Sequence, residues 1–288
     1  MKDEAYTLME QFEDTFWWYR ARREIIVAAV RRFVPAGGRV IDFGCGTGSL
    51  AAALRQEGYR VLAADNDPRA IAGCRRRGLD VLDAAGGELP ADRADAVLAC
   101  DVLEHVADET GFLRQIGRLL APTGCLLITV PAFEFLWSGE DHVSNHYRRY
   151  TRRGIDRALR ADGFAPVWRS YFNTLLSPVA AASILYKRLF RPRDMYRSNV
   201  HPLPGWLNSL LYHLFAAERY LLPRFGLPFG VSLMAVSRPQ RADPGTSLAA
   251  RSTAASACAR VTRKADEDGT GRAQIVTPPL RKIHCSNS

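Results

Sequence analysis

A short strand-like run, Arg39 to Phe43, whose apolar residues Val40 and Ile41 lead into Asp42, runs straight into the turn Gly44-Cys45-Gly46-Thr47-Gly48 and then into a run of helix formers. A strand that reopens as a helix through such a turn belongs to a βαβ unit. Its glycines let the backbone turn sharply and pass close to a ligand. The spacing narrows the ligand. A dinucleotide fingerprint reads G-x-G-x-x-G. Here Ser49 stands where the third glycine of that fingerprint would be, and the pattern is G-x-G-x-G, preceded by Asp42. A bare helix N-terminus disfavours a cation, and the acidic residues nearby offset that.

Around this turn, strands and helices alternate. Residues 14–34 read as a helix, with Ile25, Ile26, Ala29, Val30 and Phe33 at helical spacing. Strands are expected in 39–43, 59–65, 79–84, 94–106 and 125–132. Helices are expected over 48–58, over 67–78 behind an Asp67-Pro68 start, and over 108–124. A further helix, 151–164, is capped by Thr151 and precedes sixth and seventh strands in 165–173 and 228–239. The alternation predicts parallel βαβ units and an α/β, doubly wound sheet.

Between the last two strands lies a segment of different character. Two strongly apolar stretches, 174–190 and 205–222, are followed or punctuated by basic and aromatic residues. The uncharged run Ser170 to Tyr186, interrupted by Asn173, Ser177 and Pro178, is too short for a standard membrane span. It suits either an interfacial helix or a soluble cap over a site. The chain has 288 residues, is 47% hydrophobic and carries a net charge of +9. Between Val143 and Arg224 there are fourteen Lys/Arg against four Asp/Glu, which points to an anionic surface or to a genome that favours arginine. No nucleic-acid motif appears, so nucleic acid is not an expected partner. The six cysteines are scattered and read as reduced thiols of a cytoplasmic protein. The acidic N-terminus is unlike a secretory signal. The division expected is an N-terminal helical cap (1–35), a core (36–173 and 228–238), the insertion (174–227) and a disordered tail (239–288).

Three predicted strands end in acids, where open α/β sheets bind ligands. Asp42 ends the first. Asp65 ends the second and can accept both hydroxyls of a ribose, and Asn66 beside it can flank an adenine. Asp83 ends the third and can receive an adenine amino group.

The stretches VIDFGCGTG, LAADNDP and DAVLACDVLEHV together resemble the class I S-adenosylmethionine-dependent methyltransferases. FWWYRARREII and DHVSNHYRRYT resemble a bacterial subgroup related to the ubiquinone-biosynthesis O-methyltransferases. The resemblance implies a Rossmann-like sheet of seven mostly parallel strands whose last strand is antiparallel. It also implies S-adenosyl-L-methionine as cofactor, held by Asp42, the loop Gly44, Cys45, Gly46 and Gly48, and by Asp65, Asn66, Asp83 and Asp101. In the ubiquinone enzymes, positions matching Asp101, Glu104 and His105 are associated with a divalent metal, although aspartate replaces the usual glutamate at the first of them here. Acceptors in that subgroup are often hydrophobic or lipid-linked, which suggests O-methylation at the inner surface of the cytoplasmic membrane.

A hydroxyl acceptor needs deprotonation by a base or a metal. His105, His142 and His146 are the candidate bases, and the i, i+4 spacing of the last two would place them on one helical face. Arg148 and Arg149 are candidates for holding an anionic acceptor group. Trp17, Trp18 and Tyr19 are candidates to close over the site, and Arg20 or Arg22 to reach a cofactor carboxylate. Tailoring of a soluble natural product or sugar, and a membrane-associated binding module without catalysis, are the alternative functions.

Overall fold

Val40 and Ile41 point to opposite faces of strand β1 (Arg39–Phe43), and both are fully buried, so this strand needs cover on both sides. The computed structural model describes residues 3–85, 90, 92–222 and 224–240. Two helices, α1 (Asp3–Phe12) and α2 (Trp17–Phe33), precede β1. Then come α3 (Ser49–Gln56), β2 (Arg60–Asp65), α4 (Pro68–Arg76), β3 (Asp80–Asp83), β4 (Ala94–Cys100), α5 (Glu109–Leu119) and β5 (Leu120–Pro131). The chain continues with α6 (Gly139–Ser144), α7 (Arg152–Ala161), β6 (Phe164–Phe172), α8 (Ser177–Phe190), α9 (Gly205–Ala216), α10 (Glu218–Leu221) and β7 (Ser232–Pro239).

The strands form one sheet in the order β3-β2-β1-β4-β5-β7-β6. All neighbours are parallel except β7, which runs antiparallel between β5 and β6. The doubly wound, seven-stranded sheet with an antiparallel last strand is therefore as expected. Leu126, Ile128 and Val130 of β5 pack with α5 and α7 on one face. Cys125 and Leu127 face the other side with α2, α3 and α9. The order reverses direction between β1 and β4, which opens a crevice at their carboxyl ends.

Caps explain several boundaries. The Asp67 side chain accepts from the Arg69 N–H, with Pro68 at the first helical position. Thr151 Oγ1 accepts from the Gly154 N–H at the start of α7. Two boundaries differ from expectation. The helix expected to continue to 124 ends at Leu119, because Leu120 already pairs with Ala94 and Pro122 cannot extend a helix. The helix expected from Asp14 begins at Trp17, and a separate α1 precedes it. At the far end β7 includes Pro239, and the Gln240 N–H donates to Gly163 O. The expected tail from 241 onward lies outside the described residues. Among the described residues, no helix is long and apolar enough to cross a membrane.

Candidate functional site

The turn after β1 is built on left-handed backbone. Gly44, Gly46 and Gly48 all have positive φ, at 74°, 55° and 89°. A side chain at Gly44 would collide with Val102, and one at Gly48 would meet Leu79 and Cys74 within 2.8 Å. The glycines are thus required by close packing as well as by backbone conformation. Cys45 lies in the loop with its Sγ 3.5 Å from Cys74 Sγ, and both thiols are free.

Asp42 lies beneath this loop, 2% exposed, and its Oδ2 has no partner. Burial raises its carboxyl to about 7, Asp65 adds to the rise and Arg22 opposes it. Asp65 is buried at the end of β2. Its Oδ2 accepts from the Gly46 N–H at 2.9 Å, and its Oδ1 accepts from the N–H groups of Asn66 (2.8 Å) and Asp67 (3.0 Å). The carboxylate therefore ties the ends of β1 and β2 together. Asn66 is exposed beside it. Asp83 is paired with Asp65 in the sheet, is exposed, and accepts from the Ala85 N–H.

Asp101 follows β4 with φ +58°, a left-handed conformation that is uncommon for a residue with a side chain. Arg22 of α2 approaches its Oδ2 at 2.7 Å, and Thr129 Oγ1 donates to its Oδ1 at 2.9 Å. Arg22 also donates to Thr129 Oγ1, while its buried Nε has no partner. Of the two arginine candidates, Arg22 reaches the site. Arg20 stacks on Tyr212 instead, 4.2 Å from the ring centre. Trp17 packs edge-on against Phe215 of α9, whereas the Tyr19 phenol is half-buried and held protonated by desolvation and by Glu140, with Glu13 and Asp101 adding to the effect.

The histidines are arranged differently from the sequence expectation. Helix α6 ends at Ser144 because Asn145 turns left-handed, with φ +54°. His142 therefore packs against Trp137 and Tyr196, while His146 swings back to His105, with ring centres 4.6 Å apart. The i, i+4 pair does not share a helical face. His146 Nδ1 lies 2.9 Å from Asp141 Oδ1. Arg149 grips the same carboxylate with two bonds of 2.8 Å and donates to Ala132 O. Burial disfavours ionisation of Asp141, but the bonds from His146 and Arg149 outweigh it and hold the carboxyl well below its usual range. Arg149 is thus committed to Asp141, and Arg148 to Glu109 at 3.0 Å. Buried and doubly bonded to Asp141, Arg149 is not free to hold an anionic group, which corrects that expectation for Arg149.

Glu104 is fully buried with both carboxylate oxygens unpartnered. Burial and the Asp101 charge push its acid well upward. Burial and His146 lower His105 to about 4. Glu104, His105 and His146 each present one ligand atom, all within 4.8 Å of one another. The candidate cation set expected at Asp101, Glu104 and His105 is therefore changed: Asp101 is taken up by Arg22 and Thr129, and His146 stands in its place. Sequence reading missed this set because His146 is distant in the chain and arrives through the Asn145 turn.

The family model for the methyltransferase domain matches residues 17–168. The chain belongs to that methyltransferase-domain family. Within the matched span lie the glycine loop, Asp65, Asp101 and the Asp141–His146 pair. The methyltransferase-domain chain is 37% identical over 156 residues to the ubiquinone biosynthesis O-methyltransferase of Methylocella silvestris, covering 45% of this chain and 60% of the relative. It is 31% identical over 142 residues to that of Xanthomonas axonopodis pv. citri, covering 42% and 59%. The matches thus span about three fifths of those relatives' length. Among solved structures, it superposes on the complex of the Haloferax volcanii Trm112 methyltransferase activator and its methyltransferase with TM-score 0.53 and 20% identity, covering 84% of this chain and 96% of that one. An S-adenosylmethionine-dependent methyltransferase from Thermotoga maritima superposes with TM-score 0.51 and 18% identity, covering 81% and 98%. These superpositions show the shared fold.

Proposed function

We propose that this protein transfers a methyl group from S-adenosylmethionine to an oxygen of a hydrophobic or lipid-linked small molecule, working at the inner surface of the cytoplasmic membrane. The observation that carries the cofactor assignment is the buried, unpartnered Asp42 carboxyl beneath a left-handed glycine loop that is tied to Asp65. A buried acid without a partner is costly, and a cationic ligand nearby offsets that cost. Oxygen as the reacting atom follows the names of the ubiquinone biosynthesis relatives.

Methyl transfer depends on an in-line approach of the acceptor to the methyl group, so positioning supplies much of the rate. Asp141 fixes the His146 ring through Nδ1, which leaves Nε2 to take the acceptor hydroxyl proton. Arg22 and Thr129 hold Asp101 at the end of β4. Glu104, His105 and His146 fit a divalent cation, because two unpartnered carboxylate oxygens and two ring nitrogens converge there. Such an ion would take His146 Nε2 as a ligand, so that it would replace the ring as the activating group and would polarise the acceptor oxygen as a Lewis acid.

The membrane part rests on the insertion. Phe190 is 70% exposed and Trp206 71%, with Leu189 and Phe225 also exposed, in a segment that carries Arg188, Arg191, Arg193 and Arg224. Apolar side chains rimmed by arginines suit the interface of an anionic bilayer. Calorimetric titration with S-adenosylhomocysteine tests the cofactor assignment, with binding expected in wild type and lost in Asp65→Ala. Failure of a folded wild-type protein to bind overturns it. Methyl transfer only to water-soluble acceptors, without vesicle binding, overturns the membrane part.

A further inference from the structure

Helix α1 lies across the glycine loop, and four separate contacts hold it there. Met9 covers Gly46, with its Cε only 3.0 Å from where a β-carbon would stand. Glu13, 4% exposed, accepts from Thr47 Oγ1 inside the loop and pairs with Arg77 at 2.5 Å. Glu10 pairs with Arg76 at the surface. Arg69 stacks over the Tyr6 ring at 4.5 Å. Tyr6 is itself close to the acid that ends β2: burial, then Asp65 and Asp67, keep its hydroxyl protonated. Asp14 extends the latch to Arg77 and Arg23.

A helix needed only for stability would pack its apolar face on the sheet. This one instead places its acidic residues against Thr47 and the arginines at the end of α4, with Met9 over Gly46 and the Tyr6 ring under Arg69. We propose that residues 6–14 form a lid over the cofactor loop, latched by Glu10 and Glu13, with Met9 and Tyr6 as the inner surface that retains the cofactor. Cofactor exchange requires the latch to open. The inference rests on the cofactor assignment above and extends it to residues that precede the span matched by the family model.

The lid has two direct readouts. Hydrogen exchange of amides 6–14 slows when S-adenosylhomocysteine is bound. Its dissociation rate, followed by stopped-flow displacement, rises about tenfold in Met9→Ala and in Glu13→Gln, the scale expected for loss of one charge-assisted hydrogen bond or its packing equivalent. Glu10→Gln disturbs only the exposed Glu10–Arg76 pair, so it keeps the test open if Glu13→Gln fails to fold. Its faster dissociation appears at low salt and fades at high salt. Unchanged exchange in 6–14, with dissociation rates within about twofold of wild type in the folded variants, overturns the lid alone. A wild-type protein that binds no S-adenosylhomocysteine overturns the cofactor assignment and the lid with it.

Discussion

Arg22 on α2 and Asp101 after β4 are joined by an ion pair of 2.7 Å, and Thr129 bridges both. The pair links α2 to Asp101, which combines a carboxylate with left-handed backbone. Replacing Arg22 with Met leaves Asp101 with Thr129 alone and is expected to cost about 1.5–3 kcal/mol, the range for hydrogen bonds to charged groups. Urea denaturation measures that loss. Affinity for S-adenosylhomocysteine is expected to fall by more than the stability does, since Arg22 Nε is unpartnered within the site.

Asp42 makes the apo protein sensitive to pH. Its acid is raised by burial from 3.8 to about 7, so the native state binds more protons than the unfolded chain across that window. Stability therefore falls as pH rises through it. Asp42→Asn removes this loss and is expected to be more stable than wild type above neutrality, on the order of 2–4 kcal/mol. Thermal unfolding across pH measures it. The same variant loses the increase in S-adenosylmethionine affinity that wild type shows as pH rises through about 7 and Asp42 ionises.

Asp141 works in the opposite direction. Its depressed acid contributes stability above the usual carboxylate range, and that stability is lost as pH falls toward the native value. Asp141→Ala leaves Arg149 buried without its partner, at a cost of about 3–5 kcal/mol. It also frees the His146 ring. The conservative Asp141→Asn variant keeps the packing but no longer fixes the ring as an acceptor at Nε2. Methyl transfer is expected to fall by about 10²–10⁴, the usual contribution of general-base catalysis, with cofactor affinity unchanged.

Glu104, His105 and His146 predict binding of a divalent cation. Manganese is expected to raise the melting temperature of wild type and to leave Glu104→Gln unchanged. A chelator reverses the shift. Equal shifts in both proteins would place the ion elsewhere.

The exposed face of the insertion is testable without an acceptor. Sedimentation with vesicles rich in anionic lipid is expected for wild type and is expected to be lost in the Phe190→Glu, Trp206→Glu double variant. Calorimetry checks that S-adenosylhomocysteine affinity stays the same. Both positions are already solvent-exposed, so little folding stability is at stake.

Much of the fold is local in origin. The short strand at 39–43, the Asp67-Pro68 and Thr151 caps and the glycine spacing after β1 each act within a few residues, and each appears where the sequence places it. Gly44, Gly48 and Asp65 were legible because backbone conformation and strand position dictate them. The end of α5 was not, because Leu120 is drawn into pairing with Ala94 by a strand more than twenty residues earlier.

The catalytic end of the site depends on longer reach. His142 and His146 share a helical spacing on paper, and a single left-handed residue, Asn145, sends them to different neighbours. Arg148 and Arg149 look like free cations until Glu109 and Asp141 neutralise them. Met9 and Glu13 carry no motif at all, and only packing brings them to Gly46 and Thr47. Periodicity, caps and glycine geometry arise between neighbours in the chain, so sequence alone determined the sheet and the cofactor loop. Charge pairing and burial act between residues far apart in the chain, so which histidine meets Asp141, which groups converge on Glu104 and what covers Gly46 were decided by the tertiary structure.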